Sequence, residues 1–316
     1  MTLHDRYTLA TLRQALRNPS YFRGELREYG LRANVRIHAR TRPPSGTHVP
    51  AADWDSLLVL DGCRYDVFRD RNTIEGDLEV RRSLGSQSLE WLRRNFGDGE
   101  HHDVVYVSAN PHVPRLDPRT FHAVVDLLDR GWDDELETVP PDAVTEAAVD
   151  ATSAYPEKRL VVHYMQPHYP FIGPKGREIA HRGYAREQEG RTSDEFSVWR
   201  ALQYGALDAS LEEVWRAYRE NLDLVLEHVE VLLDRLDGRS VVTSDHGNLL
   251  GERLSPIPVR GFGHPRGLRV EELVAVPWLT VDGGGRRPTS SDPPVEREGP
   301  TPELLDDRLS ALGYRS

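Results

Sequence analysis

Short apolar runs alternate with segments of helical periodicity along most of the chain. The runs are almost continuously apolar, and they lie at Leu57–Leu60, Val104–Val107, Leu160–Val162, Val241–Thr243 and Val276–Val281. Such runs are typical of strands that are buried on both faces of a parallel sheet. Helical spacing of apolar residues is found between them, at Leu89–Asn95, Arg119–Arg130, Asp142–Ala154 and Ser210–Leu236. The alternation predicts an α/β fold, a three-layer sandwich around a mostly parallel central sheet.

The 316 residues suit one main domain with additions at both ends. We assign residues 1–50 to an N-terminal helical arm and linker, and residues 51–281 to the α/β domain. The polar segment 173–197 is predicted to form a loop or lid on that domain. Residues 282–316 are predicted to form a flexible tail with a short helix, because the tail begins with a low-complexity stretch rich in Gly and Pro.

Charge and cysteine content exclude several classes of protein. Acidic residues outnumber basic residues by 51 to 40, and the net charge of -11 is unfavourable for nucleic-acid binding, which needs a basic face. Because Lys158 and Lys175 are the only lysines, the composition resembles that of proteins from salt-loving archaea. The single cysteine excludes a disulfide framework and a Cys-rich metal site.

The distribution of apolar residues predicts the location of the protein in the cell. No stretch approaches the roughly 20 apolar residues of a transmembrane helix, and the N-terminus has no secretory signal pattern, so we expect a cytoplasmic protein. Residues 1–41 combine leucines with many arginines. We expect this segment to pack on the domain as a solvated helix, with a peripheral membrane contact as the alternative.

Polar side chains follow three of the predicted strands. Asp61 follows the first, His163 and His168 follow the third, and Asp245 and His246 follow the fourth. Ligands of open α/β sheets bind beyond the carboxyl ends of the strands. Because converging carboxylates and imidazoles suit a divalent cation, the sequence predicts a metal site at this edge.

The candidate ligands differ in how specific their sequence context is. Asp245 and His246 are the most specific pair, because the glycine that follows lets the backbone turn so that both side chains face one ion. His264, in the loop GFGHPRG, is a further candidate. His163 is interpreted as a core histidine. We expect one ion, since Asp208 and Asp223 are candidates for a second site by residue type alone.

The order of these motifs resembles the alkaline phosphatase superfamily in its sulfatase-like branch. The resemblance extends over most of the chain, from about residue 54 to 278. The segments that carry it are LDGCRYD at 60–66, HYMQPHYP at 163–170, TSDHG at 243–247, and GHP at 263–265 followed by VPW at 276–278.

This resemblance implies an alkaline-phosphatase-like fold and a divalent metal ion such as Mn, Zn, Mg or Ca. Carried over residue by residue, it implies that Asp61, Asp245 and His246 hold the metal. The His168 side chain would contact the transferred group, and His264 would lie near the metal or the substrate oxyanion.

The resemblance also places the nucleophile at a helix N-terminus soon after the first strand, where amide groups and the helix dipole stabilise an anion. In the segment RRSLGSQSLEWLRRNF, Ser88 at the expected N-cap is the first candidate and Ser86 the second. The alternative is that both serines only cap the helix. Arg64 is a candidate clamp for phosphate or sulfate, with a salt bridge to Asp66 as the alternative.

Two departures from the sulfatase pattern favour phosphoryl transfer. No C/S-x-P-x-R sequence surrounds Cys63, Ser86 or Ser88, so formylglycine chemistry is not expected, and Gly62 stands where sulfatases commonly have a second aspartate. A metal-activated serine suits phosphoryl chemistry, as in the phosphoglycerol transferases of the superfamily.

We therefore predict a metal-dependent hydrolase or transferase of phosphate or sulfate esters with a serine nucleophile. Its substrate would be a small-molecule, glycan or lipid-head-group ester. The alternatives are a true sulfatase and a non-catalytic binding protein that keeps the fold.

Overall fold

A mixed seven-stranded sheet forms the centre of the molecule. The computed structural model describes residues 19–179, 198–295 and 299–314. Its strands are β1 (Ser56–Leu60), β2 (Asp77–Arg82), β3 (His101–Ser108), β4 (Phe121–Asp126), β5 (Arg159–Tyr164), β6 (Gly238–Thr243), β7 (Leu249–Arg253), β8 (Arg260–Gly263) and β9 (Ala275–Gly283). The main sheet has the order β2-β9-β6-β1-β5-β3-β4, and β7 and β8 form a separate antiparallel hairpin.

Five of the seven strands in the main sheet, from β6 to β4, are parallel. β9 is antiparallel to both of its neighbours, β6 and β2. The helices are α1 (Pro19–Thr41), α2 (Tyr65–Arg71), α3 (Ser88–Phe96), α4 (Pro141–Ala154), α5 (Pro174–Glu178), α6 (Val198–Tyr204), α7 (Leu211–Leu233), α8 (Glu271–Val274) and α9 (Pro302–Ala311). Short 3-10 turns occupy Val49–Ala51 and Val113–Arg115.

Apolar side chains cover both faces of the sheet. Leu58 and Leu60 of β1 belong to one hydrophobic cluster, together with the buried faces of α4 and α7. Leu57 and Val59 alternate with them and belong to a second cluster, which includes Trp91 of α3. Successive strand residues point to opposite faces, so this division places helices on both sides of the sheet. The predicted three-layer α/β fold with a mostly parallel sheet is confirmed.

One predicted element is wrong and one edge strand was not predicted. Residues 119–130 do not form a helix, because Phe121–Asp126 is the strand β4, which pairs in parallel with β3. Its burial alternates at the start of the strand, as expected for a strand at the edge of a sheet. β2 is the other edge strand. Its sequence DLEVRR is mostly polar and half-exposed, so it has no apolar run.

The helix α1 packs against the loop between β7 and β8. In α1, Asn34 donates a hydrogen bond to the Ile257 carbonyl at 2.8 Å, and the His38 ring lies 3.0 Å from the Ser255 carbonyl. α9 occupies most of the helix that was predicted within the tail. The predicted lid lies largely outside the described residues, and its described part contains the one-turn helix α5. No helix within the described ranges has both the length and the apolar character needed to cross a bilayer.

Candidate active site

Three adjacent parallel strands bring the predicted ligands to one edge of the sheet. β1 lies between β5 and β6, and Val59 is paired in register with both His163 and Thr243. Asp61 follows β1 directly, and Asp245 lies two residues beyond β6. The side chains of Asp61, His163 and Asp245 have no solvent exposure. The central position of β1 therefore sets the geometry of the site.

Asp61, His163 and Asp245 form a group suited to a metal ion. Each side chain offers one ligand atom, and these atoms lie within 4.8 Å of one another. His163 Nε2 is 3.7 Å from Asp61 Oδ2 and 3.8 Å from Asp245 Oδ2. Within the described part of the chain, three buried atoms of the group have no hydrogen-bond partner: Asp61 Oδ1, Asp245 Oδ2 and His163 Nε2.

These unpartnered atoms fit a divalent cation. A buried polar atom without a partner costs about 1–3 kcal/mol, and a charged one costs more, so three together need a compensating ligand. Burial and the Asp245 carboxylate raise the pKa of Asp61 well above its usual range. Burial also lowers the pKa of His163 to about 4, which keeps its imidazole neutral and able to coordinate a metal at neutral pH.

His246 places a further ring nitrogen beside the two carboxylates of this group. Its Nδ1 is 2.7 Å from the Gly247 carbonyl, and a carbonyl can only accept, so Nδ1 carries the proton and Nε2 carries the lone pair. That Nε2 lies 3.4 Å from Asp245 Oδ2 and 3.7 Å from Asp61 Oδ1. A cation placed between this lone pair and the two carboxylates would be attracted by all three groups. The donation of the other ring N–H to a backbone carbonyl is typical of metal-bound histidines.

The Ser88 hydroxyl lies beside this group. Its Oγ is 3.3 Å from Asp61 Oδ2 and 3.2 Å from His246 Nε2, and the side chain is buried. Ser88 is the first residue of α3, and Gln87 takes the N-cap position in place of the serine that was expected there. The first amides of a helix have no intrahelical acceptor, so the hydroxyl stands where an anion would be stabilised.

Ser86, the second candidate nucleophile, makes structural hydrogen bonds. Its Oγ donates toward Glu90 Oε2 and the Pro265 carbonyl, each at 3.1 Å, and accepts from the Gly267 amide at 2.8 Å. These contacts connect the start of α3 to the loop after β8. The structure thus brings Ser88, and not Ser86, to the carboxylates.

His168 and His264 form a pair next to the ligand group. The His168 Nδ1 is 2.6 Å from the Tyr169 carbonyl, so its Nε2 is the acceptor for His264 Nε2–H at 2.9 Å. This arrangement leaves His264 Nδ1 buried, with no hydrogen-bond partner among the described residues. His264 Nε2 is therefore engaged by His168, whereas His163, which was interpreted as a core residue, contacts both carboxylates.

Arg64 is held by acidic side chains. Its guanidinium makes a bidentate pair with Asp66, at 2.9 and 2.7 Å, pairs with Glu252, and donates to the Asn248 carbonyl at 3.2 Å. The Arg64 side chain is buried, and these partners raise the pKa of the guanidinium. The alternative interpretation of Arg64, a salt bridge with Asp66, describes the observed contacts.

Three further residues of the site were not predicted. Asn110 Nδ2 donates to Asp61 Oδ2 at 2.6 Å, and the His112 ring lies 4.4 Å from the ring of Tyr314, centroid to centroid. Both Asn110 and His112 follow the carboxyl end of β3, where ligands of open α/β sheets bind, so their position after a predicted strand was a signal in the sequence. Tyr314 OH is 3.0 Å from Asp61 Oδ2. No sequence pattern marks Tyr314.

Asp223, considered for a second metal ion, lies outside this group. Its carboxylate forms an ion pair with Arg71, with one oxygen 2.8 Å from Arg71 Nε. Among the described residues, the group of Asp61, His163 and Asp245 is the one whose ligand atoms meet the spacing for a metal.

Comparison with solved structures finds enzymes that transfer or cleave esters. One is the integral membrane protein lipooligosaccharide phosphoethanolamine transferase A (EptA) from Neisseria meningitidis, at 12% identity and a TM-score of 0.44. It aligns with 73% of this chain and 48% of its own, so this chain spans about half its length. Another is the C-terminal periplasmic domain of EptC from Escherichia coli in complex with Zn, at 11% identity and a TM-score of 0.41, over 71% of this chain and 72% of that chain.

A third neighbour is BT1596, a 2-O GAG sulfatase, at 14% identity and a TM-score of 0.46 over 82% of this chain and 70% of that chain. No family model matches the sequence, and no curated protein matches it. The structural neighbours are sulfatase-like members of the alkaline phosphatase superfamily, the family that the sequence motifs resemble.

Proposed function

We propose that this protein is a metal-dependent phosphoryl transferase or hydrolase with Ser88 as its nucleophile. The observation that carries the proposal is the buried group of unpartnered ligand atoms on Asp61, His163 and Asp245, with the Ser88 hydroxyl 3.3 Å from Asp61 Oδ2. Two buried carboxylates that face each other destabilise the fold. Such an arrangement is typical of a functional site, and a non-catalytic protein that keeps the same fold would have no use for it.

The ligand set fits a single divalent ion held by Asp61, His163, Asp245 and His246. Such an ion supplies positive charge that lowers the pKa of a neighbouring hydroxyl and neutralises the oxygens of a phosphate ester. Asp61 Oδ2, at 3.3 Å, is positioned to take the proton of Ser88. Ser88 then attacks phosphorus in line, and the alcohol departs on the opposite side, leaving a phosphoserine.

The surrounding groups suit the charge that develops in this reaction. The free amides at the N-terminus of α3 and the helix dipole stabilise the transferred group. In the His168–His264 pair, His264 Nδ1 is the ring nitrogen without a partner among the described residues, so His264 is the ring that can exchange a proton with the departing alcohol. Water, or a second alcohol, then attacks the phosphoserine, and the same residues act in reverse. Hydrolysis and transfer therefore use one set of protein groups.

Phosphate esters suit this site better than sulfate esters. A plain serine sulfate lacks the elimination route that formylglycine gives a sulfatase, whereas a phosphoserine can be attacked again in line. Gly62 adopts a φ of 66°, so an aspartate in that place, as sulfatases have, would be strained. The substrate we propose is the phosphate ester of a small alcohol, a glycan or a lipid head group. The cytoplasmic location, the salt-loving origin and the peripheral membrane contact stay predictions.

The test compares Ser88→Ala with the matched variant Ser86→Ala. Metal-loaded protein is assayed in low and high salt with phosphomonoesters, phosphodiesters and sulfate esters, and phosphoserine is sought by mass spectrometry. We expect Ser88→Ala to lower turnover more than roughly 100-fold and to remove the covalent intermediate. Ser86→Ala should keep the intermediate and lose stability only. Normal turnover by Ser88→Ala would refute the assignment of the nucleophile.

A further inference from the structure

The side chain of Tyr314 lies inside the candidate active site. Its OH is 3.3 Å from Ser88 Oγ and 3.0 Å from Asp61 Oδ2. Its ring is stacked on His168, with centroids 5.2 Å apart and planes only 7° from parallel. The His112 ring meets it edge-on at 4.4 Å. A flat ring with one oxygen therefore fills a slot between two histidines, and the oxygen points at the proposed nucleophile.

The Tyr314 oxygen lies where the phosphoryl group of a substrate would lie, and the ring extends from it to the side of the departing alcohol. Before an in-line displacement, the attacking oxygen and the phosphorus atom are held roughly 3–3.5 Å apart, and the departing oxygen lies beyond the phosphorus on the far side. The 3.3 Å between Ser88 Oγ and Tyr314 OH leaves no room for a phosphoryl group between them beside the ring. A substrate and the Tyr314 side chain therefore compete for the same space.

The C-terminal segment is folded so that it presents this ring. Leu309 and Leu312 are buried, and Leu312 belongs to the same cluster as the central strands. Gly313 then adopts a φ of 70°, a left-handed turn that glycine favours, and the Tyr314 amide donates to the Leu309 carbonyl at 2.9 Å. This glycine turn after α9 directs the tyrosine back to the site.

We propose that Tyr314 is an internal occupant of the leaving-group subsite, and that this subsite is shaped for a flat ring that carries the ester oxygen. The inference rests on the proposed function, since it takes Ser88 as the nucleophile. The substrate's ring takes the place of the tyrosine between His168 and His112. The apparent affinity for substrate is then reduced by the fraction of molecules in which the tail occupies the slot.

The experiment measures KM and kcat for phenyl phosphate and glycerol phosphate, together with the Kd of inorganic phosphate and of phenol, on metal-loaded full-length protein. The variants are Tyr314→Ala, Gly313→Ala and the control Glu303→Gln, an exposed change at the start of the same helix. We expect Tyr314→Ala to lower the KM for phenyl phosphate at least tenfold, to keep kcat within twofold, and to bind phenol, which the parent protein does not.

The other variants test whether the turn at Gly313 holds the Tyr314 ring in the site. Alanine at the left-handed φ of Gly313 weakens the turn, so Gly313→Ala should lower KM about fivefold, equivalent to about 1 kcal/mol, without any change to the ring. Glu303→Gln should match the parent protein. Tyr314→Ala should also prefer phenyl phosphate to glycerol phosphate by more than tenfold in KM, because only the former fills the slot.

Several results would overturn the inference. A fall in kcat at unchanged KM in Tyr314→Ala would make the tyrosine a participant in the reaction. Unchanged KM and unchanged phenol binding would mean that the tail does not occupy the slot in solution. If no variant turns over an ester but Tyr314→Ala still gains phenol and phosphate binding, the proposed function is wrong, whereas the assignment of Tyr314 as the occupant of a ring-binding subsite is supported.

Discussion

Replacing Asp245 with asparagine should stabilise the metal-free protein and destabilise the metal-loaded one. Asp245 Oδ1 accepts hydrogen bonds from the Gly62 amide at 3.1 Å and the His246 amide at 2.9 Å, whereas Oδ2 is the unpartnered atom that faces the ligand group. Asparagine can keep the first oxygen as an acceptor and place an NH₂ group at the second position. The substitution therefore removes a charge without removing these hydrogen bonds.

The size of the effect follows from the spacing of the ligand atoms. Two unit charges at the upper limit of the ligand-atom spacing, 4.8 Å, repel by about 3.5 kcal/mol at an effective dielectric constant of about 20. Protonation of Asp61 relieves the repulsion but costs about 1.4 kcal/mol for each pH unit above its usual pKa, or about 4 kcal/mol at pH 7. Both estimates agree, so we expect Asp245→Asn to raise the unfolding free energy of metal-free protein by about 2–4 kcal/mol.

The pH dependence of this gain has a defined sign. Because burial and Asp245 raise the pKa of Asp61, native metal-free protein holds a proton that the unfolded chain releases above about pH 4. The stability of the parent protein therefore falls as pH rises above that value. The advantage of Asp245→Asn should shrink as the pH is lowered towards about 4, where Asp61 is protonated in both states.

The assay is thermal and urea unfolding of parent, Asp245→Asn and the control Asp223→Asn, in chelator and with added metal. The control removes a surface carboxylate that is paired with Arg71, so it should change stability by less than about 1 kcal/mol. In chelator, Asp245→Asn should melt roughly 3–6 °C above the parent. Added metal should raise the melting temperature of the parent and of the control, but not that of Asp245→Asn. Equal or lower stability of Asp245→Asn in chelator, or a retained metal shift, would refute the metal-site assignment.

The remaining predictions concern the arginine, the histidine pair and the substrate class. Arg64→Lys should lower the unfolding free energy by about 1–3 kcal/mol, through its lost contacts to Asp66 and Glu252, and should leave KM for phosphate esters unchanged; a raised KM would make Arg64 a substrate clamp. Burial lowers the pKa of His168 to about 4, so as the pH falls this side chain is protonated in the unfolded chain before it is protonated in the native protein. Its contribution to stability is lost as pH falls from about 6.5 to 4, and His168→Gln should flatten the acid limb of a stability-against-pH curve in chelator. Turnover of phosphate esters should exceed that of sulfate esters by more than roughly tenfold, about 1.4 kcal/mol in barrier height, and robust sulfatase activity of unmodified protein would contradict this.

The centre of the fold could be predicted because both faces of its strands are buried. β1 contains the apolar run Leu57–Leu60 and β6 contains the shorter run Val241–Thr243, and the carboxylates that follow them, Asp61 and Asp245, stand out against those runs. Edge strands lack this signal, which is why β2 was missed. β4 lies at the other edge of the sheet. Its segment has apolar residues at both helical and alternating spacing, so its pairing with β3 is what makes it a strand and not a helix.

His163 shows where the sequence leaves a role undetermined. It is both a core residue and a member of the ligand group, since β5 continues through it to Tyr164 and its ring is buried between two carboxylates and Tyr106. A histidine inside a strand has the same sequence signature in either role. The register of β5 against β1 sets its role, and that register is a property of the sheet.

The two oxygens of Asp61 separate metal binding from occupancy of the slot. Oδ2 accepts from Asn110 at 2.6 Å, from Tyr314 at 3.0 Å and from Ser88 at 3.3 Å, whereas Oδ1 has no partner within the described ranges. A cation that binds through Oδ1 does not displace the tyrosine, and release of the tyrosine does not remove a ligand from the cation. Changes in metal affinity from Asp245→Asn and changes in KM from Tyr314→Ala should therefore arise independently. In this proposal, metal loading and release of the C-terminal segment from the slot are two separate conditions for substrate entry.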